Sequence, residues 1–185
     1  MNHVPDLVLA CAMRYQVVHR QRVEKIQENI ELTELKIGWK EWVSLPDLQV
    51  PAIKAKVDTG ARTSALHASR ITVFTKPSGP WVRYLVRPLR KHPEIEIECE
   101  SKLIDKRDIK NSGGQVESRY VIETTVVLGE AMWSATLSLT SRDDMLFRML
   151  LGRTSLPENV VIYPSEKYLT GKVRLKKCYP VLRKR

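Results

Sequence analysis

Cysteine and histidine are both scarce in this 185-residue sequence, and where they stand excludes several chemistries. The three cysteines, Cys11, Cys99 and Cys178, are odd in number and widely spaced. They suit neither a disulfide framework nor a zinc ribbon, and they point to a reducing compartment. The four histidines, His3, His19, His67 and His92, form no His-Glu-x-x-His motif and no paired ligand spacing. No catalytic metal is therefore expected. A Gly-rich loop ending in Gly-Lys-Ser/Thr is missing too, so nothing calls for a bound nucleotide, and no cofactor is expected. Aromatic residues make up 6% of the chain with two Phe, which predicts an aliphatic core. Long apolar runs are absent as well. The nearest, Leu7 to Met13, is far below a membrane span, begins beside Asp6 and follows no basic residue, although Val8-Leu9-Ala10-Cys11 faintly resembles a lipoprotein cleavage site. The expectation is a cytoplasmic protein with no membrane partner.

What is present is one domain's worth of chain with 43% apolar residues, enough for a real core. The net charge is +10 and the pI near 9.6, a balance that attracts nucleic acid, anionic surfaces or acidic peptides. Much of the charge gathers at Lys172, Arg174, Lys176, Lys177, Arg183, Lys184 and Arg185, which reads first as a solvated basic tail over 171–185. From Met13 to Leu35, apolar residues recur at helical spacing among charges, predicting an amphipathic N-terminal helix in an extension over 1–36.

Between these ends the pattern is of short strands. Trp39 to Ser44 and Ala52 to Val57 flank the turn Leu45-Pro46-Asp47-Leu48. Val82, Tyr84 and Val86 alternate with polar residues, as do Ile95, Ile97 and Cys99, so each set buries one strand face. Tyr120 to Leu128 and Met132 to Thr140 read as a hairpin around Gly129-Glu130-Ala131, with Trp133, Ala135, Leu137 and Leu139 on one face. Thr154 to Glu158 suits a helical turn and Val160 to Tyr163 a strand. Many short strands and little helix predict a mostly β protein, a small closed β-barrel over 37–170.

The second strand ends in Val57-Asp58-Thr59-Gly60-Ala61. Read alone, Asp-Thr-Gly is an ordinary turn sequence. It is also how an aspartic peptidase presents its catalytic carboxylate. Far downstream stands Met149-Leu150-Leu151-Gly152-Arg153, an apolar run ending in Gly-Arg, and between the two lies the turn-rich Lys110-Asn111-Ser112-Gly113-Gly114-Gln115. Motifs of this kind in this order resemble the retropepsin-like fold. The longer run Ile53 to Ala68, with Ile37-Gly38-Trp39-Lys40-Glu41-Trp42, Leu45 to Leu48 and Ser138 to Arg142, is similar to a bacterial and archaeal family labelled "ATP-dependent zinc protease". The zinc and ATP of that label have no counterpart among these histidines, cysteines and glycines.

The resemblance implies an aspartic endopeptidase that works as a homodimer. Only one Asp-Thr-Gly is present, and the chemistry needs two carboxylates sharing a proton, so the partner of Asp58 is Asp58 of a second copy. It implies that Thr59, Gly60, Ala61, Leu151 and Gly152 support the catalytic turn, that Thr59 bonds across the two-fold axis, and that Arg153 pairs near the subunit interface. Ser112, Gly113 and Gly114 become a flap tip over the substrate. Arg62 either binds an acidic substrate side chain or is a surface charge. His67, nine residues past Asp58, is either a satisfied structural histidine or a group near the cleft. From Gly113 to Gly152 is 39 residues, compact for the fold, whereas the 55 from Asp58 to Gly113 carry additional chain, placed at about Lys76 to Lys91 with Pro77, Gly79, Pro80 and Pro88. The basic balance, and the glutamate ligases often encoded beside such proteins, suggest an acidic or glutamate-rich peptide substrate. Two rival classes are an inactive retropepsin-like binding module and a nucleic-acid-binding protein. The second has no recognisable motif, and Tyr179 alone interleaves with the basic tail.

Overall fold

Alternation along the chain is realised as twelve strands in a computed structural model, which describes residues 34–110 and 114–183. They are β1 (Leu35–Gly38), β2 (Lys40–Leu45), β3 (Val50–Asp58), β4 (Ser64–His67), β5 (Ser69–Lys76), β6 (Gly79–Val86), β7 (Ile97–Lys102), β8 (Asp105–Lys110), β9 (Val116–Leu128), β10 (Ala131–Thr140), β11 (Met149–Gly152) and β12 (Val160–Tyr163). The helix expected from Met13 to Leu35 falls almost wholly outside the described residues. No helix among the described residues is long and apolar enough to cross a membrane.

Six strands close on themselves in the order β10-β4-β11-β3-β2-β9, because β9 and β10 also pair, and β8 extends the sheet from β9. The mostly β, closed-barrel expectation therefore holds. Inward residues are aliphatic, as the shortage of aromatics requires: Ile53, Leu66, Ile122, Leu137, Leu139, Met149 and Leu151 are all fully buried. Burying each such side chain stabilises the fold by about 1.5–3 kcal/mol. The β9–β10 hairpin turns at Gly129 and Glu130, where Gly129 takes φ +62, a conformation costly for any residue with a Cβ.

Two features differ from expectation. The additional chain between β4 and β8 is larger than the segment Lys76 to Lys91 and builds its own three-stranded sheet, β5-β6-β7, with Val82, Tyr84 and Val86 buried. Alternation revealed β6 and β7 but not β5, which has no buried face, and it carries no information about which neighbour each strand pairs with. The other difference lies in the segment read as a solvated basic tail. Leu175–Cys178 forms a single helical turn, α1, followed by a 3-10 turn over Pro180–Arg183. Tyr179 and Leu182 are buried against Ala52, Leu89 and Ile95, and the Tyr179 hydroxyl donates to the Ala52 carbonyl. The charges stay outside while two apolar side chains dock.

Buried polar groups pin the corners. Glu41 is fully buried, and its carboxylate accepts from Gly38 N at 2.7 Å, Leu169 N at 2.9 Å and the Thr170 hydroxyl at 2.9 Å. His67 is also fully buried at the end of β4. Its Nδ1 accepts from Arg142 N at 3.0 Å, while Nε2 lies 3.4 Å from Asp143 Oδ1 without hydrogen-bond alignment. Burial, reinforced by the Arg148 charge and opposed by Asp143, pulls its pKa down to about 4. These contacts hold His67 through Nδ1 and leave its buried Nε2 without a hydrogen-bond partner among the described residues.

Replacing Glu41 by Ala strands three donors, and a loss of roughly 3 kcal/mol is expected in denaturant unfolding. His67 sets a pH dependence. The unfolded chain binds a proton near pH 6.5 and the folded one only near 4, so the contribution is complete above 6.5 and declines as pH falls toward 4. Unfolding measured at pH 7 and again near pH 4.5 should show wild type losing about 2–3 kcal/mol more than His67→Asn, since each pH unit of one-proton difference is worth about 1.4 kcal/mol. Equal losses in both proteins would remove His67 as the cause.

Candidate active site

Asp58 is the last residue of β3, and its position is set by what runs beside it. β11 lies parallel to β3 with Leu151 opposite Val57 and Gly152 opposite Asp58. The chain then turns through Thr59 to Thr63 and returns as β4, antiparallel to β11. Gly152 sits where this turn passes: a Cβ there would lie 2.7 Å from the Thr63 carbonyl carbon and 2.9 Å from the Ala61 oxygen, both backbone atoms. Only glycine fits without moving the turn. Gly152 N donates to the Ser64 hydroxyl at 2.9 Å. Arg153 N donates to the Ala61 carbonyl at 2.9 Å, and Thr154 N to the Arg62 carbonyl at 3.2 Å.

Within the turn, Ala61 N donates to the Asp58 carbonyl at 3.1 Å and to its carboxylate Oδ1 at 3.3 Å. Gly60 has no positive φ; its value is room, because a Cβ would stand 3.3 Å from that same oxygen. The Arg153 guanidinium donates to the carbonyls of Gly60 at 3.1 Å and Thr59 at 3.3 Å. The structure thus brings Asp58, Thr59, Gly60, Ala61, Leu151, Gly152 and Arg153 together. Arg153, assigned by resemblance to a subunit contact, braces the turn of its own chain. Thr59, Gly60 and Arg62 are exposed.

The period of two along β3 puts Lys54, Lys56 and Asp58 on one outward face, while Ala55 and Val57 point into the barrel. Pairing with β2 adds Lys40 opposite Lys56 and Trp42 opposite Lys54. Lys56 Nζ lies 3.1 Å from Asp58 Oδ2. Burial pushes the Asp58 pKa up, but the Lys56 hydrogen bond and charge and the Ala61 and Gly60 amides outweigh it, leaving the carboxyl below its ordinary value. Arg142, half-buried, donates to the Phe147 carbonyl at 3.0 Å. Burial lowers its pKa, the Arg119 and Arg148 charges lower it further, and Asp58 opposes them. A lone Asp58 is therefore an anion in a cationic setting.

β8 and β9 form an antiparallel pair whose last register position joins Lys110 to Val116. Gly114 has φ +84, while Ser112 and Gly113 are outside the described residues. Arg107 and Arg119 stand directly opposite one another in this pair, and Arg119 Nε donates to Glu117 at 2.7 Å. Sequence reasoning missed Lys56 and Arg142. The alternation of β3 was a sufficient signal for the first. Arg142 had none, because its proximity arises from a loop folding back. Among the described residues, no group of three His, Cys, Asp or Glu could hold a metal ion.

Residues 36–173 match the family model described as RimB-like, retropepsin-like aspartic endopeptidase RimB. Similar curated proteins include a "Probable alpha-L-glutamate ligase" of Shewanella halifaxensis, 47% identical over 135 residues, and one of Desulfotalea psychrophila, 44% identical over 137. These matches cover 73% and 74% of this chain but 30% of each of those proteins, so the chain spans about a third of their length. A crystal structure of a Legionella pneumophila protein of unknown function is similar with a TM-score of 0.63 and 28% identity, covering 73% of this chain and 97% of that one. With the Asp58 turn, the Gly152 strand beside it and a match across most of its length, this chain belongs to the RimB-like family of retropepsin-like aspartic endopeptidases.

Proposed function

We propose that the protein is an aspartic endopeptidase that acts as a homodimer, each copy supplying one Asp58, and that it cuts acidic, glutamate-containing peptides. The observation carrying this reading is a carboxylate fixed at the end of β3, 29% exposed, on a turn braced from its own chain. Asp58 alone is ionised and able only to accept a proton. Peptide hydrolysis also needs an acid, and a second carboxylate a few ångströms away supplies one, because two such groups share a single proton.

In that pair, the ionised carboxylate takes a proton from water as the water oxygen bonds to the peptide carbonyl carbon. The protonated carboxyl gives its proton to the carbonyl oxygen, forming a diol. Collapse of the diol breaks the C–N bond: the departing nitrogen takes the proton held by the dyad while one hydroxyl returns its proton to the other carboxylate, leaving a carboxylic acid, an amine and a dyad with one proton, as at the start. The two groups titrate as a unit. In this reading Thr59, exposed in the turn, bonds its mate across the two-fold axis.

The acidic substrate rests on charge near the scissile position. Lys56 shares the Asp58 face, and Arg142 lies close enough to feel its charge. Arg62 adds an exposed cation just beyond the turn. The ligase name of the longer relatives fits the same substrate class: a peptidase module joined to glutamate-adding machinery would act on glutamyl peptides. That name describes proteins of which this chain covers 30%, and ligase chemistry is not assigned to this segment.

Hydrolysis of a peptide series in which Glu replaces Gln around one bond tests this reading. Wild type should cut the Glu peptides preferentially, and Asp58→Asn should lower kcat/KM by at least ~10³-fold. Lys56→Gln should reduce the Glu preference about tenfold, the scale of one lost charged contact. Equal cleavage of both peptides would defeat the acidic reading. Full activity in Asp58→Asn would defeat the peptidase reading.

A further inference from the structure

A second basic site lies along the outward face that carries Asp58. Beside Trp42 and Tyr168 is a cavity of about 220 Å³ lined by Lys40, Lys54, Arg90, Lys91, His92 and Arg148. No carboxylate stands among the described residues that line it; Glu94 is nearby, 3.3 Å from His92. Arg148 is 7% exposed. One of its nitrogens donates to the Arg142 carbonyl at 2.8 Å and reaches Asp143 at 3.2 Å, but its Nε has no partner. Arg148 thus puts a largely buried guanidinium in the cavity wall, whose charge a ligand anion would help to balance. Two ammonium groups are held over aromatic faces: Lys54 Nζ is 5.0 Å from the Trp42 ring centre, and Lys40 Nζ is 4.4 Å from that of Trp39 and 5.5 Å from that of Tyr168. These contacts place the cations, and no ion pair to either is formed among the described residues.

From this geometry we infer that the cavity is an exosite for carboxylate side chains of the substrate, outside the catalytic cleft. The inference rests on the acidic-peptide reading of Asp58 and its neighbours. Lys54 and Asp58 are four steps apart on one face of β3, about 13 Å at 3.3 Å per residue. An extended peptide covers that span in four residues, so a chain bound at Asp58 presents its carboxylates to the cavity in the same register. Lys56 and Lys40 lie between and keep the path basic. The site selects for length and charge, whereas the groups beside Asp58 select for the residues at the scissile bond.

Binding without hydrolysis tests it separately from the peptidase reading. In Asp58→Asn protein, oligoglutamate of about eight residues, twice the four-residue span, is titrated by calorimetry. The same titration is done in proteins that also carry Lys54→Glu or Lys91→Glu, both exposed positions on different walls of the cavity. Each substitution should weaken octaglutamate binding at least ~10-fold, and a glutamine peptide of equal length should bind none of the proteins comparably. Unchanged octaglutamate affinity in both variants would overturn the exosite and leave the peptidase reading standing. Pyrophosphate or single-stranded RNA that binds in a Lys91-dependent way and is not displaced by octaglutamate would also overturn it, in favour of a phosphate ligand.

Discussion

The site depends on a backbone contact that tolerates no side chain. Gly152 runs against the Ala61–Thr63 backbone at distances that a Cβ would violate, and that approach lets β11 lie parallel to β3 with its end level with Asp58. The residues after Gly152 are thereby delivered to the turn. Arg153 N and Thr154 N reach two of its carbonyls, and the Arg153 guanidinium ties down the two before them. A turn otherwise held by one amide to its own carboxylate becomes a rigid mount for a single acid group.

In the proposed peptidase, the charges around that mount explain why one copy would not be enough. Lys56 and the turn amides favour the ionised form of Asp58, whose charge is also felt by Arg142. An ionised carboxylate cannot donate the proton that the peptide oxygen needs. Only another acid group close by reverses that preference for one member of the pair. In the same proposal, the cations that draw Asp58 low in isolation would become counter-charges for an acidic substrate once two carboxylates share a proton. Catalysis and selectivity thus draw on one field.

How much of this was legible in the sequence differs by element. The β2 turn β3 unit, the Gly129 hairpin and the Gly-Arg strand were readable, because alternation and turn residues are local signals. Of the β5-β6-β7 sheet, β6 and β7 were seen as strands, while β5 was missed because it buries no face, and the sheet was not seen because pairing partners lie outside any window. Lys56 was readable from the pleat of β3 alone. Arg142, Arg148 and His67 converge only because the loop after β10 folds back under β4, and the docking of Tyr179 on Ala52 crosses most of the chain. Composition made the C-terminal segment appear solvated: its charges outnumber the two side chains that anchor it.

The central claim is that each working site needs two copies of Asp58. Wild-type and Asp58→Asn proteins, mixed at constant total concentration and left to exchange subunits, test it directly. If every site takes one carboxylate from each copy, hydrolysis of an acidic peptide falls as the square of the wild-type fraction. A decline in simple proportion to that fraction would mean that a single chain carries the whole site, and would contradict the account.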